Sequence, residues 1–253
     1  MTRRVLITGG AAGIGRAIVE YFHQEEARIA ICDADPSAVS AFQADFPDAI
    51  AQVCDVRDEA QMDAFLGRVE SAWGGIDVVC ANAGTGGPAG RIEALDYQAW
   101  QDCVGVGLFG TFLTCRWAAK LMRTQKNGVI IITSSTSGMH GVPYRTPYVA
   151  AKWGLVGLMK TLAMELGPDG IRVNAVAPGA VEGPRMERVL EMEAAADGRD
   201  IEEVRDLYAA GTSMRTWVTA EDIAQTVGFL ASDAASKVSG QLIAVDGHTE
   251  RMT

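Results

Sequence analysis

Tyr148 and Lys152 stand four residues apart in a segment whose pattern predicts a helix over 147–166. That spacing puts both side chains on one helix face. A free phenol loses its proton near pH 10. An ammonium about 4–5 Å away, at an effective dielectric near 20, favours the phenolate by a few kcal/mol. Such a tyrosine can act as general base toward a hydroxyl or as general acid toward a carbonyl. Ser135 follows a strand predicted over 129–133. It therefore lies at the carboxyl edge of the sheet, where α/β proteins bind ligands. Its hydroxyl can hold an oxygen on which charge develops. A Tyr–Lys pair alone is usually a packing or surface pair, so the weight rests on what surrounds it.

A second group of residues supplies a partner for that chemistry. Thr8-Gly9-Gly10-Ala11-Ala12-Gly13-Ile14-Gly15 follows a strand at 5–7 and opens a helix at 14–25. Glycines there permit a tight turn and bring backbone N–H groups and a helix N-terminus against a pyrophosphate. Asp33 ends the next predicted strand, 18 residues after Gly15. A carboxylate in that place accepts both ribose hydroxyls of a dinucleotide and repels a 2′-phosphate. No Arg or Lys stands at Ala12 or Ala34 to bind such a phosphate. The expected cofactor is NAD.

The elements that must position these residues alternate in type. Short apolar strands are predicted at 5–7, 28–32, 50–54, 76–80, 129–133, 171–176 and 241–245, with helical patterns between them. Strands apolar on both faces and joined by helices imply a parallel sheet. The expected fold is α/β: a single-domain, Rossmann-like, doubly wound sheet of seven strands. Residues 97–124 read as one long helix whose pattern is interrupted by Gly105, Gly107 and Gly110. Residues 184–210 read as two short helices around Asp197-Gly198. The segment 183–217 is expected to form a substrate lid hinged at Gly183-Pro184. It is acidic through Glu182, Glu187, Glu191 and Glu193.

The order and spacing of these motifs resemble the short-chain dehydrogenase/reductase family with the TGxxxGxG loop, over nearly the whole chain. Besides Thr8–Gly15 and Asp33, the resemblance rests on Asp55-Val56, Asn82-Ala83-Gly84, Ser135, Tyr148-Val149-Ala150-Ala151-Lys152, Asn174 through Gly179, Ser239-Gly240-Gln241 and Val245-Asp246-Gly247. It implies a catalytic set of Ser135, Tyr148 and Lys152. It implies a cofactor set of Gly9, Ala12, Gly13, Ile14, Gly15, Asp33, Asp55, Val56, Asn82, Ala83, Gly84, Tyr148, Lys152, Pro178, Gly179 and Val181. Asp55 and Val56 would lie beside the adenine, and the backbone of Val181 would meet the carboxamide. A homotetramer is also implied.

The resemblance breaks at two places. The long helix normally carries an Asn linked through water to the lysine, and this chain has Gly107 there. Either its backbone carbonyl and an added water continue the relay, or Gly107 serves close helix packing. A Thr common five residues after Pro178 is replaced by Gly183. His140, Arg145 and Met186 are candidates for substrate contact, each with a blander reading as a loop or packing residue.

Composition narrows the rest. The 253 residues carry a net charge of −10, which argues against nonspecific nucleic-acid binding. The N-terminal apolar run is too short for a signal peptide, and no stretch approaches a membrane span. A cytoplasmic enzyme with a small-molecule substrate, no nucleic-acid or membrane partner and no metal is expected. The five cysteines, Cys32, Cys54, Cys80, Cys103 and Cys115, form no CxxC pair and read as reduced core residues. The leading expectation is NAD-dependent hydride transfer at a secondary alcohol, diol or ketone. The alternatives are a 3-oxoacyl reductase, and a dinucleotide-binding protein that has lost its chemistry.

Overall fold

The computed structural model describes residues 2–249, apart from the side chains at 192, 193 and 195–197. Glu193, one of the acids counted in the lid, falls outside that description. Seven parallel strands are ordered β3-β2-β1-β4-β5-β6-β7. They are β1 Arg4–Thr8, β2 Arg28–Asp33, β3 Ile50–Val53, β4 Val78–Ala81, β5 Gly128–Thr133, β6 Ile171–Pro178 and β7 Leu242–Val245. The order reverses direction between β1 and β4, which opens the crevice above their carboxyl ends.

Helices cover both faces: α1 Gly13–Gln24, α2 Pro36–Asp45, α3 Glu59–Trp73, α4 Tyr97–Val104, α5 Gly110–Gln125, α6 Thr146–Leu166, α7 Pro184–Asp197, α8 Ile201–Ala210 and α9 Ala220–Ala231. One core layer packs α3, α5 and α6 on the sheet through Phe65, Leu66, Ala118, Met122, Leu155 and Met159. The other packs α1, α2 and α9 through Ile18, Phe22, Phe42, Ile223 and Val227. Completely buried strands such as Val5-Leu6-Ile7 and Ile130-Ile131-Ile132 explain the unbroken apolar runs in the sequence.

The expected long helix is divided. Between α4 and α5, residues Gly105–Phe109 form a five-residue π turn. A π turn inserts extra backbone into a helix and often marks a functional place. Here the small residues let neighbours close in. A β-carbon at Gly110 would lie 2.6 Å from Val56 Cγ2, and one at Gly107 would lie 3.3 Å from Ala151 Cβ.

All five cysteines are buried and free. Burial pushes the Cys80 and Cys115 thiols up to about 12, so neither offers a thiolate. Among the described residues no helix is long and apolar enough to cross a membrane.

Two glycines test this packing from opposite sides. A β-carbon on Gly10 would sit 2.6 Å from Ile31 Cγ2 and 3.2 Å from the Ile7 carbonyl. Gly67, within α3, has nothing within 4 Å. Gly10→Ala is expected to lower unfolding free energy by about 1–3 kcal/mol, and Gly67→Ala to raise it by about 0.5–1 kcal/mol. Urea unfolding of both variants checks the contrast.

Candidate active site

The glycine loop runs from the end of β1 into α1. Gly9 and Gly13 have φ of +62° and +54°, values that only glycine adopts without strain. A β-carbon on Gly15 would fall 2.0 Å from the Gly9 carbonyl, so the loop closes only with glycine there. Asp35, Asp58, Asp96, Asp200 and Thr219 cap α2, α3, α4, α8 and α9 with their side chains. Ala12, at the start of α1, provides no such cap. The first-turn N–H groups of α1 are thus left open to an anion.

Asp33, at the tip of β2, faces this loop and accepts the Ala11 N–H at 3.3 Å. The neighbouring cation, Arg16, is already committed. It binds Glu20 at 2.7 Å and Asp45 at 2.9 Å and lies over the Phe46 ring. Among the described residues no cation pairs with Asp33.

Asn82 follows β4 and ties three strands together. Its Nδ2 donates to the carbonyls of Thr8 at 3.2 Å and Gly9 at 3.1 Å. Its Oδ1 accepts the Thr133 hydroxyl at 3.1 Å. Thr8 Oγ1 in turn accepts the N–H groups of Asn82 and Ala83, both at 3.1 Å. The Thr133 carbonyl accepts Lys152 Nζ at 2.8 Å. A chain of hydrogen bonds therefore links the glycine loop through Asn82 and Thr133 to Lys152. Gly84 comes against the same ammonium, since its β-carbon would lie 3.6 Å from Lys152 Nζ.

Ser135, Tyr148 and Lys152 meet at the carboxyl edge of β5. Ser135 is buried and its Oγ accepts the Ser137 N–H at 3.1 Å. Pro147 in the first turn starts α6, which places Tyr148 and Lys152 one turn apart with Lys152 Nζ 5.5 Å from the Tyr148 ring centre. Burial opposes ionisation of Tyr148 most strongly. The charges of Lys152 and Arg185, the Ser135 hydrogen bond and the charge of Arg145 together outweigh it, and the phenol is held below its ordinary value. Lys152 is also lowered, first by burial, against the opposing pull of Tyr148.

The remaining candidates separate. The Asp55 carboxylate is gripped by Arg57 through three guanidinium contacts of 2.7 to 3.1 Å. These bonds hold Asp55 below the usual carboxylate range. Val56 is buried against Gly110. Pro178 ends β6, and Gly179 packs so closely on Asp246 that a β-carbon would fall 2.7 Å from Asp246 Cβ. Val181 forms an isolated parallel bridge with Val218. Its flanking groups make the bonds, Val218 N–H to the Ala180 carbonyl and Glu182 N–H to the Val218 carbonyl. The N–H and C=O of Val181 itself therefore point to the opposite side.

His140 is exposed, and its carbonyl accepts Trp153 Nε1 at 3.4 Å. Met186 is half-buried in the first turn of α7. Arg145 reaches the centre, its Cζ 5.1 Å from the Tyr148 ring centre. Arg185, which the sequence reading passed over, does the same at 5.7 Å. The available signal was a basic residue directly after the Gly183-Pro184 hinge of an acidic segment. The Gly107 carbonyl accepts the Thr111 hydroxyl at 2.9 Å, and its Cα faces Ala151 beside Lys152. Of the two expectations for Gly107, close packing of α6 is the one this geometry favours.

A family model described as enoyl-(acyl carrier protein) reductase matches residues 9–248. Levodione reductase of Leifsonia aquatica is 34% identical over 97% of this chain and 93% of its own length. The solved structure of an NAD+-bound xylitol dehydrogenase is 27% identical and superposes with a TM-score of 0.92 over 97% of this chain and 98% of that one. An actinorhodin polyketide ketoreductase with NADPH is 30% identical, with a TM-score of 0.94 over 99% and 98%.

Asn82→Ala removes three bonds at once and strands the Thr133 hydroxyl. Urea unfolding is expected to register a loss of about 1–3 kcal/mol. An unchanged stability would mean that the loop and β5 do not depend on this bridge.

Proposed function

Because the chain belongs to the short-chain dehydrogenase/reductase family, we propose that it is an NAD-dependent oxidoreductase that interconverts a secondary alcohol or diol and the matching ketone. The observation that carries this reading is the buried Lys152 ammonium beside the Tyr148 phenol, with the Ser135 hydroxyl adjoining.

The chain's own groups fit a dinucleotide. The uncapped start of α1, with Gly9, Ala12, Gly13, Ile14 and Gly15, would hold the pyrophosphate. Asp33 would accept the ribose hydroxyls. Asp55 and Val56 would border the adenine, and Asn82, Ala83 and Gly84 would line the path between. Pro178, Gly179 and the free backbone groups of Val181 would receive the carboxamide. When bound, the dinucleotide supplies the hydride acceptor or donor.

Every other role falls to side chains. In oxidation, Tyr148 as phenolate takes the hydroxyl proton. Ser135 donates to the same oxygen and holds the substrate against the ring. Lys152 favours the ionised phenol, and its N–H groups beyond the one bound to Thr133 would face a ribose. In reduction, Tyr148 returns the proton. The segment 183–217 would act as a lid over this centre.

We place the enzyme in the cytoplasm as a homotetramer. In support, Phe109, Phe112, Trp153 and Met164 expose apolar surface on the π turn, α5 and α6.

A 3-oxoacyl reductase is the second reading, and the likeness to the ketoreductase supports it. The Asp33 carboxylate, with no cation paired to it among the described residues, favours NAD and weighs against that reading. A protein that binds the dinucleotide without reacting is disfavoured by the retained set of Ser135, Tyr148 and Lys152, with Lys152 Nζ 5.5 Å from the Tyr148 ring centre.

NADH absorbance with a panel of secondary alcohols and diols tests the reading. Tyr148→Phe should lower kcat by about 10²–10⁴-fold. No turnover of any alcohol, or full activity in Tyr148→Phe, would refute it. Asp33→Ala should reduce the preference for NAD over NADP by about 10–100-fold, the worth of hydrogen bonds to a charged group. A wild-type preference for NADPH would instead favour the 3-oxoacyl reductase.

A further inference from the structure

Arg145 and Arg185 are charged groups at the centre that the proton transfer does not require. They come from different elements, one just before α6 and the other in the first turn of α7. Both heads flank the Tyr148 ring. They also converge on one spot. A β-carbon built on Gly86 would lie 3.4 Å from Arg145 Nη2 and 3.5 Å from Arg185 Nη2. Glycine keeps that spot clear of a side chain.

Neither head is neutralised. Arg145 Nη2 donates to the Gly86 carbonyl at 3.0 Å, while its buried Nε has no partner among the described residues. No carboxylate among the described residues pairs with Arg145 or Arg185. Elsewhere the protein pairs its arginines readily, Arg4 with Asp77, Arg57 with Asp55 and Arg205 with Glu187. Lys152 adds a third cation to the same centre. Three like charges are thus gathered in a chain whose net charge is −10. Three cations exceed the one negative charge that the Tyr148 phenolate can offer, so the cluster attracts a further anion, and an unpaired buried guanidinium nitrogen is costly.

We propose that Arg145 and Arg185 bind a carboxylate of the substrate, which is therefore a short hydroxy acid in one direction and an oxo acid in the other. The reaction rests on the function proposed above, whereas the anion site stands on its own geometry. A guanidinium meets a carboxylate with two parallel N–H donors. Because both heads flank the ring whose hydroxyl takes the proton, the carboxylate must lie close to the carbinol. That geometry suits 2- and 3-hydroxy acids. The carboxylate is a handle and changes no bond.

The test pairs binding with turnover. Isobutyrate and its neutral isostere isobutyramide are titrated calorimetrically into the protein, with and without NADH. Initial rates are then measured for lactate and 3-hydroxybutyrate against their methyl esters. Isobutyrate should bind at least about tenfold tighter than the amide. Arg145→Gln and Arg185→Gln should abolish that margin, and the Lys variants should keep part of it. The acid-to-ester ratio of kcat/KM should fall about 10–100-fold in each Gln variant. This ratio cancels any change in Tyr148 that both substrates share.

Equal binding of acid and amide, or a ratio that the variants do not move, overturns the proposal. So does a Gln variant of Arg185 that weakens NADH while leaving acid preference intact, since Arg185 would then serve the cofactor. Arginine-dependent acid binding without turnover would uphold the anion site and overturn the oxidoreductase reading. Turnover of neutral alcohols without acid preference would do the reverse.

Discussion

The structure is organised around one buried ammonium. Taking a lysine out of water costs several kcal/mol unless a partner replaces the lost hydration. Lys152 has its fixed hydrogen bond at the Thr133 carbonyl, at the very end of β5. Its other neighbour is the phenol of Tyr148. Two groups that each resist charging when buried gain by charging together. Burial alone would raise the phenol and lower the ammonium, and their mutual attraction works against both shifts.

That pairing constrains its surroundings. The turn after β5 must lie directly on α6, and it does. A β-carbon on Gly138 would strike Ser134 Oγ at 2.6 Å and the Lys152 carbonyl at 3.0 Å. Helix α6 must also come close to the π turn, which Gly107 and Gly154 permit against Ala151 and Leu108. Thr133 joins the two halves of the site. Its carbonyl holds the lysine, while its hydroxyl reaches Asn82 and through it the glycine loop. A continuous chain of hydrogen bonds therefore joins the glycine loop to Lys152.

Much of this was legible in the sequence. The strands read clearly because both faces are buried, so apolar runs such as Val129–Ile132 carry no polar alternation. The Tyr148–Lys152 spacing needs only a helix to bring the two side chains together. The Gly9–Gly15 loop and Asp33 are local in the chain and announce themselves by residue type. Arg185 was only faintly legible, because its approach to the Tyr148 ring depends on where α7 lies in the fold. The π turn showed only as three glycines in a helical pattern, and its wider turn is set by packing against α6. Nor could spacing reveal that the N–H and C=O of Val181 face away from its bridge. That depends on the bridge to Val218, 37 positions further along.

The centre also runs against the charge of the whole chain. A protein with ten excess negative charges gathers Lys152, Arg145 and Arg185 around one phenol. This cluster, and Lys152 above all, holds Tyr148 ready to ionise. Titration of the 295 nm phenolate absorbance isolates that group when the Tyr148→Phe signal is subtracted from the parent. The difference should titrate below the value near 10 of free tyrosine, and Lys152→Met should move its midpoint to higher pH. An unchanged midpoint in Lys152→Met, or a parent midpoint at or above that of free tyrosine, would mean that the ammonium does not stabilise the phenolate.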